Sequence, residues 1–178
     1  SFAQQLTRLN RITNDRQVPP GMQLRIPAEW LQLQSAQVRI VKTHGEITVA
    51  QPGQAQHAAV PGEPLPASAR LRSGPRASAM LEFDDGSRVM VLQSTELRVV
   101  RSDRRLLDGG FMVELELLRG GLENLVTPSA RPPETRFEIR TPAAVAAVRG
   151  TQFRVHADTM ATWTEVLGGA VQVVNATG

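Results

Sequence analysis

Apolar and polar residues alternate along most of this chain, in short runs separated by turn-forming residues. Each run has an apolar residue at about every second position and ends at a cluster rich in Gly, Pro or Asp. This period is typical of β-strands that bury one face. It predicts strands around residues 38–41, 47–49, 79–83, 89–91, 97–99, 111–118, 137–139, 153–155, 163–167 and 171–174. The chain is therefore predicted to be mainly β, a multi-stranded β-sandwich, jelly roll or β-solenoid-like domain.

The first 27 residues follow a different pattern. From Phe2 to Asn10, the apolar residues Phe2, Leu6 and Leu9 recur at spacings of four and three, which predicts one face of a short helix. After a polar loop and a Pro-Pro-Gly turn, apolar and polar residues alternate over residues 22–26, which predicts a short strand. We therefore divide the chain into a helix–loop–strand segment with its linker, residues 1–35, and an all-β domain, residues 36–178.

Three positions within the β region need a separate interpretation. Residues 101–105 are polar and are predicted to form a turn. Residues 142–148 are rich in alanine and form either a single helical turn or a buried strand, since periodicity does not separate the two. Trp163 alternates inside a predicted strand, and we expect it to belong to the core.

The charge balance disfavours a nucleic-acid binder. The chain carries 20 basic and 17 acidic side chains, a net charge of +3, and only 4% aromatic residues. Binding to nucleic acid usually needs a basic surface with stacking aromatics. The densest basic cluster, which comprises Arg98, Arg101, Arg104 and Arg105, could attract an anionic partner, but its interspersed acids favour a charged, solvated edge. We therefore predict no nucleic-acid partner.

The sequence contains no recognisable catalytic or metal-binding pattern. Cysteine is absent, and the three histidines lack the spacing of metal ligands. Phosphate-binding glycine loops, dinucleotide fingerprints and nucleophile elbows are also absent. We interpret Asp84 and Asp85, which precede Gly86, as hairpin-turn residues, and Glu114 and Glu116 as one solvated strand face. The prediction is a protein that is not an enzyme, with no catalytic, cofactor-binding or metal-binding residues.

Composition gives little information on the cellular compartment. No apolar stretch approaches the roughly 18 to 20 residues that cross a bilayer, so we expect no membrane span in this chain. The lack of cysteine fits cytoplasmic and exported proteins alike. Ser1 leads directly into the helical pattern without an initiator Met or a signal peptide, which we interpret as the start of a processed or trimmed piece.

Residues 1–27 resemble the C-terminal half of a LysM domain. Residues 6–12 read LTRLNRI, and residues 18–27 read VPPGMQLRIP, which is similar to the helix, loop and final strand of that family. The resemblance implies binding to peptidoglycan or a related N-acetylglucosamine glycan. It assigns one wall of the glycan groove to the loop formed by Ile12, Thr13, Asn14 and Asp15. The first half of a LysM domain is not recognised in this sequence.

Residues 36–178 resemble a FecR-type domain over a longer and more specific stretch. Residues 79–87 read AMLEFDDGS, and residues 107–110 read LDGG, both similar to family motifs. The closing block is the most specific, because residues 137–155 read FEIRTPAAVAAVRGTQFRV. A Val-rich ending over residues 166–173 follows it.

Elementary backbone chemistry favours a structural role for these motif residues, with contact to a partner as the alternative. Pro fixes φ, Gly permits a tight bend, and the Arg side chain can donate several hydrogen bonds to carbonyls or to a buried acid near the turn. The motif residues are Asp85, Gly86, Ser87, Thr141, Pro142, Arg149, Gly150, Thr151 and Phe153.

The two resemblances together imply a bacterial cell-envelope protein. We expect an exported, non-enzymatic periplasmic or cell-envelope module of the FecR type that senses or binds an envelope protein and associates with peptidoglycan through the LysM-like segment. The alternative is the periplasmic part of a FecR-type transmembrane regulator, which relays an outer-membrane transporter signal in iron uptake to a sigma factor. The first hypothesis is preferred because no spanning helix or sigma-binding region is recognised in this sequence.

Overall fold

The structure is a computed structural model that describes residues 2–14, 16–127, 135–148 and 150–175. Within these residues lie one α-helix, one 3-10 helix and fourteen strands. The helices are α1 (Phe2–Leu9) and η1 (Ala28–Leu31). The strands are β1 (Leu33–Ser35), β2 (Val38–His44), β3 (Ile47–Ala50), β4 (His57–Ala58), β5 (Arg70–Ser73), β6 (Ser78–Phe83), β7 (Arg88–Val91), β8 (Glu96–Arg105), β9 (Phe111–Leu125), β10 (Arg136–Arg140), β11 (Ala144–Val148), β12 (Gln152–Ala157), β13 (Thr162–Gly168) and β14 (Val171–Asn175).

The strands form one continuous, curled sheet whose two halves share β9. The first half, here called the first layer, has the strand order β14-β11-β10-β9-β8-β5-β3-β4, with β1 also paired to β8. The second half, the second layer, has the order β2-β6-β7-β9-β12-β13. The strand pairs are antiparallel except for β9 and β10, which run parallel. The predicted mainly β fold is confirmed as a predominantly antiparallel curled sheet.

Alternate residues of both layers point into one hydrophobic core. In β6, β7 and β12 every second side chain is buried, which is the period-two pattern of the sequence. The buried apolar residues of the two layers belong to a single cluster. Phe83 of the second layer meets Phe137 of the first edge to face, with ring centroids 5.5 Å apart. This favourable aromatic geometry links the two layers across the core.

The strand β9 bends at Gly120 and Gly121, where it passes from one layer to the other. Residues 111–119 pair with β8, and residues 120–125 pair with β12. Gly120 has a φ of +89°, and a Cβ there would lie 2.5 Å from the Cα of Thr95. The buried Thr95 hydroxyl accepts the Gly121 N–H (2.9 Å) and lies 3.2 Å from the Gly121 carbonyl oxygen, to which it donates. The bend therefore requires a residue without a side chain at position 120.

The N-terminal segment matches its prediction only in part. The predicted helix is confirmed as α1, but residues 22–26 form no strand within the described residues. Instead Asn10 holds this stretch by two hydrogen bonds, here called the Asn10 clasp. Its side chain accepts the Arg25 N–H (2.6 Å) and donates to the Arg25 carbonyl (3.0 Å). Apolar side chains such as Leu24 stay exposed. The alternation of residues 22–26 was misleading, since a strand needs a neighbouring strand to bond with.

The structure also tests the three separate predictions made for residues 101–105, residues 142–148 and Trp163. Residues 101–105 do not form a turn but continue β8, because β9 on one side and β1 on the other supply backbone partners. Residues 142–148 contain a strand, β11, rather than a helical turn. Trp163 lies on β13 at the edge of the second layer and is 55% exposed, so its prediction as a core residue was wrong.

In the described ranges, neither helix is long and apolar enough to cross a membrane.

Replacing Gly120 by Ala is expected to destabilise the fold strongly. The substitution combines a positive φ with a steric overlap against the Thr95 backbone, so we expect a loss of about 3 kcal/mol or more in the free energy of unfolding. Gly62→Ala is the matched control, because Gly62 has a similar φ of +90° but a Cβ added there would meet no atom within 4 Å. The control should lose only about 1–2 kcal/mol, from backbone strain alone. Urea denaturation followed by circular dichroism measures both variants, and equal losses would contradict the steric role of Thr95.

Candidate functional site

The Asp-Gly-Ser turn between β6 and β7 is held by hydrogen bonds inside the fold. Asp85 accepts the backbone N–H of Ser87 (2.9 Å) and also the Ser87 hydroxyl (2.8 Å). Gly86 has a φ of +81°, which the tight turn requires. The Ser87 hydroxyl is buried and accepts the backbone N–H of Thr127 at 3.1 Å. The turn is thereby fastened to the segment that follows β9.

Gly150 and Thr151 lie where the chain leaves the first layer for the second. They connect β11 to β12, and Gly150 has a φ of +58°. The buried Thr151 hydroxyl donates to the carbonyl of Ala170 (2.9 Å), which lies on the return connection from β13 to β14. Phe153 follows as a fully buried core residue of β12. Thr151 thus ties together the two connections by which the chain crosses between the layers.

These two motifs meet at the end of β9. The Thr151 carbonyl accepts the N–H of Val126 (3.1 Å), while the Ser87 hydroxyl accepts that of Thr127. We call Ser87, Val126, Thr127 and Thr151 the motif junction. Ser87, Val126 and Thr151 are each at most 1% exposed. These three residues therefore hold the fold and offer almost no surface to a partner, whereas Thr127 is exposed.

Thr141 and Pro142 lie at the other end of β11, about 17 Å along the strand from the motif junction. Thr141 closes the turn between β10 and β11, since its N–H donates to the Ala144 carbonyl (2.8 Å) and its hydroxyl accepts the Ala144 N–H (2.9 Å). The same hydroxyl lies 2.7 Å from that of Thr162 on β13. Pro142 is exposed in this turn, where no backbone donor is needed. The structure thus separates the predicted motif residues into two groups.

The predicted glycan loop directly follows α1. Ile12 donates its N–H to the Thr7 carbonyl (2.8 Å) and closes the end of the helix. Thr13 and Asn14 are exposed, and the Asn14 side chain accepts the N–H of the residue two positions later (3.1 Å). Asp15 lies outside the described residues, as does Arg149 of the second motif. Thr13 and Asn14 are accessible to a ligand from solvent.

A ladder of ion pairs covers the outer face of the first layer. Arg98 pairs with Glu116 (2.6 Å), and Glu114 pairs with both Arg101 (3.2 Å) and Arg140 (2.6 Å). The ladder continues through Arg72, Arg119, Arg136, Glu96 and Glu138. The Glu114 side chain is only 12% exposed, so it lies within ion pairs and not on the solvated face that the sequence predicted. Such cross-strand pairs contribute modestly to the stability of a sheet.

The remaining arginines of the predicted basic cluster also have partners within the chain. Arg104 lies over the ring of Phe111, with 5.9 Å between the guanidinium carbon and the ring centroid. Arg105 pairs with Asp108 at 2.9 Å in the turn before β9. The cluster therefore lies on an inner strand of the first layer, and its cations are engaged inside the molecule.

Exposed apolar side chains gather on β13, β14 and the turn before β13. We call this surface the apolar end, and its members are Met160, Trp163, Val166, Leu167, Val173 and Val174. The Trp163 ring rests against His156, with 5.7 Å between the ring centroids. Several exposed apolar side chains on neighbouring segments are typical of protein–protein interaction sites. The apolar end is the candidate functional site of this protein.

Sequence reasoning missed the exposure of Trp163, although a signal was present. Trp163 shares its strand face with Glu165, and a glutamate on that face indicates solvent. Pairing with β12 settles the orientation, since Val166 of β13 lies opposite the buried Phe153 and so faces the core. Trp163 consequently points outward.

Shifted pKa values occur only in exposed hydrogen-bonded groups of the described chain. The Glu63 carboxylate, 2.7 Å from His57 Nε2, raises the pKa of His57. Two backbone N–H groups of its own turn lower the pKa of Asp158, and two glutamate partners raise the pKa of Arg154. In the described part of the chain, no three His, Asp or Glu side chains are grouped so that they could hold a metal ion. No acid–base pair emerges from these groups as a catalytic candidate.

Comparison with known protein families gives a match to this sequence. The sequence model described as "FecR protein" matches residues 69–172, more than half of the chain. The matched range includes the Asp-Gly-Ser turn, the Thr-Pro turn, the crossover at Thr151 and most of the apolar end. It starts at Ala69, so the predicted domain boundary at residue 36 stays a prediction, as does the LysM resemblance of residues 1–27. No curated protein and no solved structure matches the chain.

Replacing Ser87 by Ala is expected to weaken the motif junction. The change removes two hydrogen bonds of a buried hydroxyl and leaves the Thr127 N–H without its acceptor, so we expect a loss of about 1–3 kcal/mol in unfolding free energy. Ser102→Ala is the matched control, because this buried hydroxyl has no hydrogen-bond partner among the described residues and should lose almost nothing. Thermal and urea unfolding measure the difference. A similar effect of both substitutions would argue against the junction as a fold-holding contact.

Proposed function

The chain belongs to the FecR protein family, and from that premise we propose that it is a non-enzymatic, periplasmic interaction module that binds a protein of the bacterial cell envelope. The family is a regulatory one, and its domain typically lies in the periplasmic part of envelope regulators. The family match is the observation that carries the proposal. The apolar end supplies the surface that such a module needs.

The placement of the motif residues supports this choice of surface. Ser87, Thr141 and Thr151 use their hydroxyls on hydrogen bonds within the protein, and all three are buried. A partner therefore has little access to these three motif residues. The exposed side chains of β13 and β14 are accessible to a partner. They lie beside the connections that Thr141 and Thr151 hold by hydrogen bonds.

We further propose that the N-terminal segment attaches this module to peptidoglycan. The support is the LysM-like sequence of residues 1–27 together with the Asn10 clasp, which holds the stretch around Arg25 against the end of α1. This clasp places the loop that contains Thr13 and Asn14 between two anchored segments and leaves it open to solvent. The glycan expected there is peptidoglycan or a related N-acetylglucosamine polymer.

A second candidate function follows from the family itself. The chain would then be the periplasmic part of a transmembrane regulator that receives a signal from an outer-membrane transporter in iron uptake and relays it to a sigma factor. Family membership favours this alternative. The identity of the bound envelope protein separates the two functions, because only the second requires an outer-membrane transporter.

Photo-crosslinking from the apolar end is expected to capture one envelope protein. The full chain, exported to the periplasm, carries a photoreactive phenylalanine analogue at Trp163 or Leu167 in place of the native side chain. Both positions are exposed at the apolar end, so we expect the same adduct from each. Val60 and Leu106 are matched control positions, because they are similarly exposed but lie elsewhere. Equal labelling at all four positions, or no adduct, would contradict the proposed interaction surface.

The wall-binding proposal predicts saturable co-sedimentation of the full chain with insoluble peptidoglycan at physiological salt. Soluble N-acetylglucosamine oligosaccharides should release it, and Thr13→Ala should weaken binding because it truncates the exposed loop. Thr159→Ala, in an exposed turn of the β domain, is the matched control and should bind normally. An arginine-rich protein can adhere to anionic wall material, so pelleting that raised salt abolishes would count against a glycan site, as would no pelleting.

A further inference from the structure

The second layer has two edge strands, β2 and β13, and the fold covers the first of them. Gly62 donates its N–H to the Ile40 carbonyl (2.6 Å), and the Ile40 N–H donates to the Glu63 carbonyl (2.9 Å). Leu65 adds a third bond, from its N–H to the Val38 carbonyl (2.8 Å), and its side chain is buried. This loop therefore occupies the free side of β2 as an additional strand would.

The other edge strand, β13, is open. Among the described residues it pairs with β12 alone, and no backbone hydrogen bond reaches its far side over residues 163–167. Natural proteins protect such edges with proline, lysine, bulges or a covering loop. The seven residues of β13 include no Pro, Lys or Arg; the strand carries one charge, Glu165, and its pairing with β12 is irregular at Leu167. We call the far side of residues 163–167 the open edge.

The hydrophobic core extends to the open edge, where apolar side chains of its inner face stay exposed to solvent. Val166 lies on the inner face of β13, opposite the fully buried Phe153, yet it is 46% exposed. Val173 of β14 lies on the inner face of the first layer at the same end and is exposed as well. An apolar side chain placed beside Val166 would continue the core pattern by one strand and bury this surface.

The outer face of the open edge carries excess negative charge. Arg154 lies 3.2 Å from both Glu123 and Glu165, so one cation is shared by two carboxylates. The Glu165 side chain is 62% exposed, at the centre of the open edge. Asp158 adds a third carboxylate in the adjoining turn, and the Trp163 ring presents an exposed face that attracts cations. The charge that complements this face is positive.

We propose that the open edge accepts, by antiparallel or parallel strand addition, an extended segment of a partner protein in which apolar residues alternate with Lys or Arg. The apolar residues would lie beside Val166 on the core side. The basic residues would lie beside Glu165 and Trp163 on the outer side, and main-chain hydrogen bonds would run along residues 163–167. This inference rests on the proposed function, because it specifies how the apolar end binds a protein.

Synthetic peptides test the proposal on the full chain. The probe is a fluorescently labelled peptide of alternating Val and Lys, about eight residues long and capped at both ends, followed by anisotropy. We expect saturable binding, and binding at least about tenfold weaker for the matching Val and Glu peptide, because like charges then meet at Glu165. A Val and Lys peptide with N-methyl groups on alternate residues keeps its side chains but loses main-chain donors. Methylation of alternate residues gives two isomeric peptides. The isomer whose methyl groups lie on the amides that face β13 should not bind.

Substitutions in the protein provide the second arm. Glu165→Lys should reverse the preference between the two peptides, whereas Glu82→Lys should preserve it, because Glu82 lies on the same outer face at β6, away from the edge. Circular dichroism verifies that both variants are folded. Equal binding of the Lys, Glu and N-methylated peptides, or no saturable binding, would overturn the proposal. A dimer that Glu165→Lys dissociates in sedimentation velocity would also overturn it, since a second copy would then occupy the edge. If position 163 gave crosslinks in cells but the peptides did not bind, strand addition would be rejected and the proposed function would be retained.

Discussion

The buried hydroxyl of Thr95, bonded to the backbone of Gly121 beside Gly120, is the contact on which the rest of the structure depends. Because β9 bends there, one strand serves both layers, and the sheet can curl over a single core. Without the bend, the continuous strand would leave two apolar faces uncovered. The edge-to-face contact of Phe83 with Phe137 is possible only after this folding over. A local backbone requirement therefore determines the global arrangement.

The motif residues stabilise the places where the chain changes layer. Ser87 and Thr151 hold consecutive residues after β9, and Thr141 ties the first layer to the hairpin of β12 and β13. Each contact satisfies backbone groups or hydroxyls that burial removes from water, and an unsatisfied group there would cost free energy. Ser87, Thr141 and Thr151 thus belong to the scaffold. In the proposed function, a partner is recognised by the strands that this scaffold presents.

The two edges of the second layer differ in a way that bears on function. A loop bonds to β2 and closes the core on that side, whereas β13 retains its free side and exposed apolar residues within the described structure. An exposed edge is a liability for aggregation unless a partner uses it. The outer face of the first layer, by contrast, neutralises its arginines within the ion-pair ladder. The proposed partner site accordingly lies at the apolar end and not at the basic cluster.

The sequence by itself determined the β class, the positions of most strands, the helix α1 and the Asp-Gly-Ser turn, because period two and turn chemistry are local properties. It did not determine the extension of β8 through residues 101–105 or the loss of a strand at residues 22–26, since both depend on whether a neighbouring strand is available. The meeting of Ser87 with Thr151 joins distant parts of the chain, so no spacing in the sequence reveals it. The exposure of Trp163 was decided in the same way. Pairing with β12 turns Trp163 to the outer face of β13, and pairing is a property of the tertiary structure.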